Sequence, residues 1–485
     1  MTKIKGRTGP TKHAAKSRKD IENNLRIRMY RVGFGDFFLI TGWSNDGPQH
    51  ILIDCGVTRG KTGKGDIATI KTAVRHMAQE TGNKLALLVV THRHQDHIIG
   101  FSRCKAEFEK FEGRVEAIWM PYWETEYPKV QKYQDELENL ALGLRAAALA
   151  GDRDAINEEI LGIAENVTGV SVEGPGGGTN QQSLELLKNK LGVKPKYYAM
   201  GDTPELPKGL ADAGFSAQIL GPPPATEFDF LKLMDLTQGV GQYVDTNGGP
   251  SMTKTKLLPF GPEFIVGPDV YPTSAFREWA PRVSGKHPDL RQRYAKVLEK
   301  TIKSSTPNAL LMAARKLDGI LNNQSLVVLF TWKGKRLLFA GDAQAGNWLY
   351  WLYALDRPTK KLSDEQVTEE GRAILGSLAF YKMGHHGSTN ATPIAAVGAM
   401  GEDLVTMCST QENTFGSVEN DSEVPRIPLI SALAKKSVVI RSDHYAARIG
   451  EMEIPAAKDA PTTPPKPKVG KLQVRDFYVD YSLQA

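Results

Sequence analysis

Three histidines and an aspartate fall within six residues, directly behind an apolar run. The run occupies residues 85–90 (LALLVV), and the polar segment after it, residues 91–97, reads THRHQDH. A continuous apolar run of this length is typical of a buried strand. A tight loop at the end of a strand can direct several side chains to one point, and imidazole and carboxylate are ligands of Zn²⁺, Mn²⁺ and Fe²⁺. The segment therefore predicts a metal centre at the end of a buried strand.

The neighbouring elements predict a layered α/β fold. Residues 50–56 (HILIDCG) have the pattern of a strand, and residues 66–80 have the pattern of a helix. A strand, a helix and a second strand in this order are typical of helices packed on a sheet. Further along the chain, the stretch QSLVVLFTWKGKRLLFAGDA predicts a β-hairpin that turns at residues 333–335.

Three more places put metal-ligating residue types at the end of an apolar strand. Asp54 ends the strand ILID, Asp342 ends RLLFAGD, and His385 and His386 follow LAFYKMG. Functional sites of α/β folds gather at the carboxyl ends of strands. We therefore expect these residues to join the 92–97 segment around one metal centre.

The polar segment resembles the His-x-His-x-Asp-His signature of the metallo-β-lactamase-fold hydrolases. Within that superfamily the chain is most similar to the hydrolase domain of ComEC-type DNA-uptake proteins, through the stretches NNQSLV (322–327), LLFAGDA and KMGHHGS (382–388). The resemblance covers about residues 25–120 and 213–450. It implies an αββα metallo-β-lactamase sandwich with long helical and Gly/Pro-rich insertions.

The resemblance also implies one or two divalent metal ions, with Zn²⁺ or Mn²⁺ favoured. The implied ligands are His92 and His94 for the first ion, Asp96, His97 and His385 for the second, and Asp342 between them. His386 would then support the second site or contact the leaving group. The sequence leaves open which of His385 and His386 binds the metal.

Other residues of the same segments are candidates for catalysis and substrate binding. Asp96 or Asp54 would orient the attacking water or take its proton. The candidates for substrate contact are Lys382, Ser388 and Thr389, which flank the histidine pair, and His444, which would lie at the rim of the site. The predicted reaction is hydrolysis.

One departure from the superfamily concerns the first metal. The superfamily commonly supplies a third histidine to that ion, between the main motif and the bridging aspartate, but this chain has no histidine between His97 and His287. His287 itself lies in the Gly/Pro-rich stretch SGKHPD. The first site is therefore expected to be open, weak or empty, or to be completed by a carboxylate or water.

The pattern divides the chain into seven segments. These are a basic flexible tail (1–24), the first half of the fold (25–123), a helical insertion (124–212), a core strand (213–224), a Gly/Pro-rich and helical insertion (225–318), the second half of the fold (319–453), and a Pro-rich linker with a terminal strand (454–485). The long insertions could shape a substrate channel or bind a protein partner, and the sequence does not give the oligomeric state.

Charge and composition bear on partners and location. The net charge of the 485-residue chain is +6, and much of the excess lies in residues 1–20, which predict either an arm that contacts nucleic acid or a solvated leader. Three cysteines in so long a chain are typical of a reducing compartment. The sequence has no apolar run of about 18 or more residues, so we expect no transmembrane helix. Residues 1–20 have no apolar core, so we expect them not to be a secretory signal. The expected location is the cytoplasm, with no membrane contact.

Three functions fit the sequence. The favoured one is a metal-dependent phosphodiesterase or nuclease acting on nucleic acid, with DNA preferred. The alternatives are a hydrolase of a small ester, lactone or cyclic nucleotide, and a non-catalytic binding or assembly module with a vestigial metal site, because a fold does not determine a substrate. The absence of the membrane channel that ComEC-type proteins carry favours a role other than DNA uptake, such as bacterial defence.

Overall fold

A computed structural model describes most of the two predicted halves of the fold. The described residues are 23–58, 67–150, 155–169, 179–224, 228–232, 307–354, 367–416, 418, 422–445, 447–449, 452–454, 456–458, 461 and 463–485. The predicted basic tail up to residue 22, the greater part of the Gly/Pro-rich insertion and His287 lie outside the described residues. Parts of the Pro-rich linker lie outside them as well.

The described strands are numbered in chain order. They are β1 Asn24–Tyr30, β2 Phe38–Ser44, β3 Gly47–Ile53, β4 Leu85–Val89, β5 Val115–Pro121, β6 Lys196–Tyr198, β7 Phe215–Gly221, β8 Val327–Trp332, β9 Lys335–Phe339, β10 Leu378–Lys382, β11 Leu404–Cys408, β12 Ser437–Arg441, β13 Ala447–Ile449, β14 Met452–Ile454, β15 Lys471–Val474 and β16 Tyr478–Gln484.

Most of these strands form two mixed sheets. The first sheet has the order β15-β16-β1-β2-β3-β4-β5-β6, and the second has the order β12-β11-β10-β9-β8-β7. In each sheet one half is parallel (β3 to β6, and β9 to β12) and the other half is antiparallel. β13 and β14 pair as a separate hairpin. The predicted hairpin at residues 333–335 is present, because β8 pairs with β9 across Trp332 and Lys335.

The helices are also numbered in chain order. They are α1 Ile67–Thr81, α2 Gln95–Arg103, α3 Lys105–Phe108, α4 Pro128–Ala150, α5 Ala155–Thr168, α6 Asn180–Asn189, α7 Lys208–Asp212, α8 Phe228–Leu231, α9 Pro307–Asn323, α10 Ala345–Leu352, α11 Glu369–Gly376, α12 Ile394–Ala399 and α13 Ile427–Ala434. Within the described part of the chain, no helix is both long enough and apolar enough to cross a bilayer.

Three hydrophobic clusters stack the sheets and helices into layers. Leu87 and Val89 of β4 lie in the cluster between the two sheets, together with Leu337 and Phe339 of β9. The alternate residue Leu88 lies in a second cluster, with α1 and α2 on the outer face of the first sheet. A third cluster packs α10 to α13 on the outer face of the second sheet. β4 is therefore buried on both faces, which explains its continuous apolar run. The fold is mixed α/β; the metallo-β-lactamase name for it stays a prediction.

The predicted helical insertion at 124–212 divides into two parts. α4 and α5 pack with α9 in a fourth hydrophobic cluster of their own, outside the sheet layers. In contrast, α6 joins the helix layer on the first sheet through Leu186 and Leu187, and β6 extends that sheet beside β5. The part of this segment that is added to the two-sheet core is therefore the α4–α5 pair, which α9 covers.

Candidate metal centre

Four of the predicted residues converge at one edge of the two sheets. Asp96, His97, Asp342 and His386 each offer one ligand atom, and these atoms all lie within 4.8 Å of one another. His386 Nε2 lies 2.8 Å from Asp96 Oδ2 and 3.3 Å from Asp342 Oδ2. His97 Nε2 lies 3.1 Å from the same Asp342 oxygen. The cluster thus consists of two imidazoles facing two carboxylates.

The parallel strands explain why these residues meet. Asp96 and His97 begin α2 just after β4, while Asp342 follows β9 and His386 follows β10. β9 and β10 are parallel neighbours in the second sheet, so their carboxyl ends lie side by side. The cluster therefore draws its potential ligands from both sheets, at the carboxyl ends of their strands, where functional sites of α/β folds gather.

Asp54 lies beneath the cluster and is fully buried. Its Oδ1 accepts a hydrogen bond from the Thr91 amide at 2.7 Å, and its Oδ2 accepts one from the Thr91 hydroxyl at 2.6 Å. The same Oδ2 lies 2.8 Å from His97 Nδ1. A carboxylate on one ring nitrogen fixes the tautomer and leaves the other nitrogen to act as a ligand. The contacts of Asp54 are thus those of a group that orients His97.

Asp36 is a member of the site that the sequence did not reveal. With Asp54 and His97 it forms a second group of potential ligands. It also pairs with Lys382, whose ammonium donates to the Gly341 carbonyl at 3.0 Å and lies 3.4 Å from Asp342 Oδ1. Lys382 is only 1% exposed. The sequence predicted that Lys382 holds substrate, but the structure places it under the cluster, between two buried carboxylates.

His92 and His94 are buried beside the cluster, and neither has a hydrogen bond at Nε2. The centroids of their rings lie 4.6 Å apart, and the His92 ring lies 4.1 Å from that of His97. His94 Nε2 faces Asp318 Oδ1 at 3.4 Å. Asp318 belongs to α9, and a single aspartate in a helical pattern gave no sequence signal of this contact.

The two adjacent histidines of the GHHG turn point in different directions. His386 is buried in the cluster and its Nδ1 donates to the Ser409 carbonyl at 2.7 Å. His385 turns away, and its Nδ1 lies 2.6 Å from the Ser388 hydroxyl and 3.0 Å from Asn390 Oδ1. The family resemblance implied His385 as the ligand and His386 in a supporting role, while the sequence left the choice between them open. The structure brings His386 into the cluster and directs His385 elsewhere; both residues have left-handed backbone angles, with φ of 43° and 52°.

The remaining predicted substrate residues divide between the site and its surroundings. Ser388 lines the cleft above the cluster. Thr389 follows it and is partly exposed. His444 lies after β12 with its ring against Tyr445, and it is not among the residues that line the cleft.

A cleft of about 390 Å³ opens over the cluster. One wall comes from the added helix α5, through Glu158, Glu159 and Asn166, and another comes from α9, through Arg315 and Asp318. Arg315 is the basic residue among the described residues of this lining, and it pairs with Glu159 at 2.7 Å. The lining therefore carries more acidic than basic side chains.

The imidazoles and carboxylates of the cluster shift one another's pKa values strongly. Burial disfavours the imidazolium form of His386, but Asp342 and Asp96 outweigh it and raise its pKa to about 10. The same carboxylates raise the pKa of His97 against the effect of burial. In return, the two imidazoliums hold the pKa of Asp96 and that of Asp342 below the usual range, although burial acts in the other direction. Two protons therefore occupy the cluster when no metal ion balances its carboxylates.

The outer histidines behave differently. Burial lowers the pKa of His94 to about 4 and lowers that of His92 as well. Burial raises the pKa of Asp318 to about 7, and the nearby Asp96 and Asp342 carboxylates add to the effect. Neutral, buried imidazoles with an unpaired Nε2 are suited to accept a cation. The Asp and His clusters could hold a metal ion, and the residues present fit one.

The chain matches no protein-family model and no curated protein. The family resemblance noted from the motifs therefore stays a prediction, and the functional argument depends on the geometry of the cluster.

Proposed function

We propose that the protein is a metal-dependent hydrolase that cleaves a phosphodiester bond. The observation that carries the proposal is the convergence of Asp96, His97, Asp342 and His386, with donor atoms within 4.8 Å, at the base of an open cleft. A divalent cation held there would supply a nucleophile from water at neutral pH and would polarise a phosphoryl oxygen. Zn²⁺ and Mn²⁺ are the proposed ions, because both accept mixed imidazole and carboxylate ligands.

The residues of the cluster have distinct proposed roles. Asp96 is 14% exposed, whereas His97, Asp342 and His386 are at most 2% exposed. Asp96 is thus the most accessible carboxylate of the cluster, and it would take the proton of the attacking water. Asp54 would act indirectly, by holding the His97 ring in place.

Nucleic acid, with DNA preferred, is the first candidate substrate. It is supported by the motif resemblance and by the basic residues at positions 1–20, which would contact the phosphate backbone. The proposed location is the cytoplasm, in keeping with three cysteines that are all free and buried.

A small phosphodiester or ester is the second candidate substrate. Two observations favour it: the helix α5 forms one wall of the cleft, and the cleft lining carries Glu158, Glu159 and Asp318. A nucleic-acid backbone is usually contacted by lysine and arginine side chains. The acidic lining of the described residues provides one arginine, which is already paired with Glu159.

The test is a hydrolysis assay on the full chain with Mn²⁺, Zn²⁺ and Mg²⁺ in turn. Substrates are single-stranded DNA, duplex DNA, RNA and bis-p-nitrophenyl phosphate. We expect Asp96→Asn to abolish turnover, while Asp46→Asn, at an exposed turn, keeps it. Cleavage of the small diester alone would select the second substrate. Failure to cleave any substrate with any ion would contradict the proposed function.

A further inference from the structure

We infer that Asp318 completes a second cation site with His92 and His94, taking the place of the third histidine that the chain lacks. The inference rests on the proposed function only in assuming that the protein binds divalent cations. This site would bind Mn²⁺, next to the first ion. The first ion would be held by Asp96, His97, Asp342 and His386.

The two imidazoles are the first support. His92 and His94 are 1% and 4% exposed, and Nε2 of each is buried without a hydrogen-bond partner. A buried polar nitrogen without a partner is costly, so such atoms are rare unless they serve a ligand. Two of them side by side, with ring centroids 4.6 Å apart, indicate a shared ligand.

The position of Asp318 is the second support. Its Oδ1 lies 3.4 Å from His94 Nε2, and its Oδ2 accepts a hydrogen bond from Asn322 Nδ2 at 3.4 Å, one helical turn further along α9. One carboxylate oxygen is therefore held by the helix, while the other faces the imidazole. The side chain is 28% exposed and lines the same cleft as Asp96 and Asp342.

The spacing of the donors indicates how the site would form. Unlike the donors of Asp96, His97, Asp342 and His386, those of His92, His94 and Asp318 do not all lie within 4.8 Å of one another. At least one of these side chains must therefore move when an ion binds. We expect this site to fill after the first one and with lower affinity.

The donor set also predicts the kind of ion. Replacing an imidazole by a carboxylate adds negative charge and a hard oxygen ligand, which favours Mn²⁺ more than a site of three imidazoles would. Asp318 lies in α9, which packs with α4 and α5, so the packing of these added helices would set the position of a metal ligand.

The test counts metal ions rather than turnover. The full chain is stripped with chelator, dialysed against Mn²⁺ and analysed by elemental mass spectrometry, by calorimetric titration and by electron paramagnetic resonance. We expect two ions per wild-type chain, with a spin-coupled spectrum. Asp318→Ala and the near-isosteric Asp318→Asn should retain one tightly bound ion and weaken the other by about 100-fold or more, because losses of that size follow even from changes to groups behind the ligands. Glu159→Gln, in the neighbouring wall of the same cleft, should keep both ions.

A variant that should regain metal binding controls for the possibility that Asp318→Ala loses the ion because it fails to fold. Asp318→His should restore the second ion and shift its preference from Mn²⁺ to Zn²⁺. Two ions bound equally tightly by Asp318→Ala, or a single ion in the wild-type chain, would overturn the inference. A wild-type chain that binds one ion and still cleaves substrate would overturn the inference and leave the proposed function intact. A wild-type chain that binds two ions without any hydrolysis would overturn the proposed function and leave the inference intact.

Discussion

The Oδ2 atom of Asp54 lies 2.8 Å from Nδ1 of His97, and neither side chain is exposed to solvent. The carboxylate thereby directs the other imidazole nitrogen toward Asp342. In the proposed metal centre, the same contact would hold the His97 ring in place without Asp54 occupying a coordination position.

We expect Asp54→Asn to weaken metal binding by about 10- to 100-fold, the usual effect of losing a carboxylate behind a metal-binding histidine. Asparagine tolerates the left-handed backbone of this position, where φ is 52°, so the substitution tests the charge and not the turn. The measurement is competition with a chelator for Mn²⁺ or Zn²⁺. Unchanged affinity would show that Asp54 does not orient His97.

Gly56→Ala should disrupt the start of α2. A β-carbon at Gly56 would lie 2.1 Å from the backbone of Asp96 and His97, which is far inside contact distance, and neither backbone can yield without moving a ligand. We expect metal binding to be lost and the unfolding free energy to fall by several kcal/mol, measured in urea. Gly143→Ala is the matched control, because its β-carbon in α4 meets nothing within 4 Å; there a small gain of roughly 0.5–1 kcal/mol is expected.

Lys382→Met should destabilise the metal-free protein by about 3–5 kcal/mol, because it leaves Asp36 and Asp342 buried without their cation. Combining it with Asp36→Asn should recover part of the loss, since one unpaired charge is then removed. Urea unfolding in the presence of chelator measures both changes. A rise in KM with normal stability would instead return Lys382 to the substrate-binding role that its sequence position indicated.

The protonated cluster predicts an unusual pH dependence. Because the folded pKa of His386 is about 10 and a free histidine has a pKa of about 6.5, its proton stabilises the metal-free fold fully below pH 6.5 and less as the pH rises toward 10. The unfolding free energy should fall by up to about 1.4 kcal/mol per pH unit for each such proton. His386→Gln should reduce this slope. Saturating metal should flatten it, since the ion displaces the protons; an equal slope with and without metal would contradict the assignment.

Local signals in the sequence predicted the mixed α/β class of the fold and three of the four residues whose donor atoms converge. The apolar run of β4 and the polar segment after it predicted both the buried strand and its site, because strand periodicity and ligand chemistry are readable within a few residues. The choice between His385 and His386 was not readable, because it depends on two consecutive left-handed backbone angles. Asp36 was hidden in the turn after β1, and its partner Lys382 is 346 residues away by numbering.

The contact between α9 and His94 could not be predicted from local sequence patterns, for a different reason. Asp318 faces His94 only because α9 packs with α4 and α5 over the cleft, and such packing is set by contacts between distant parts of the chain. The extent of the first sheet was missed for the same reason. β6 lies in what the sequence presented as an insertion, yet it pairs with β5.

The strand β16 lies between β15 and β1, and Asn24 at the start of β1 pairs with Gln484. Arg28 and Asp480 join the same two strands through two hydrogen bonds of 2.6 and 2.7 Å. During synthesis, the edge of β1 that pairs with β16 therefore stays unpaired while nearly 450 further residues are translated. A strand edge left unpaired for so long can pair with other chains, so a truncation before residue 478 should yield aggregates instead of a shortened folded chain.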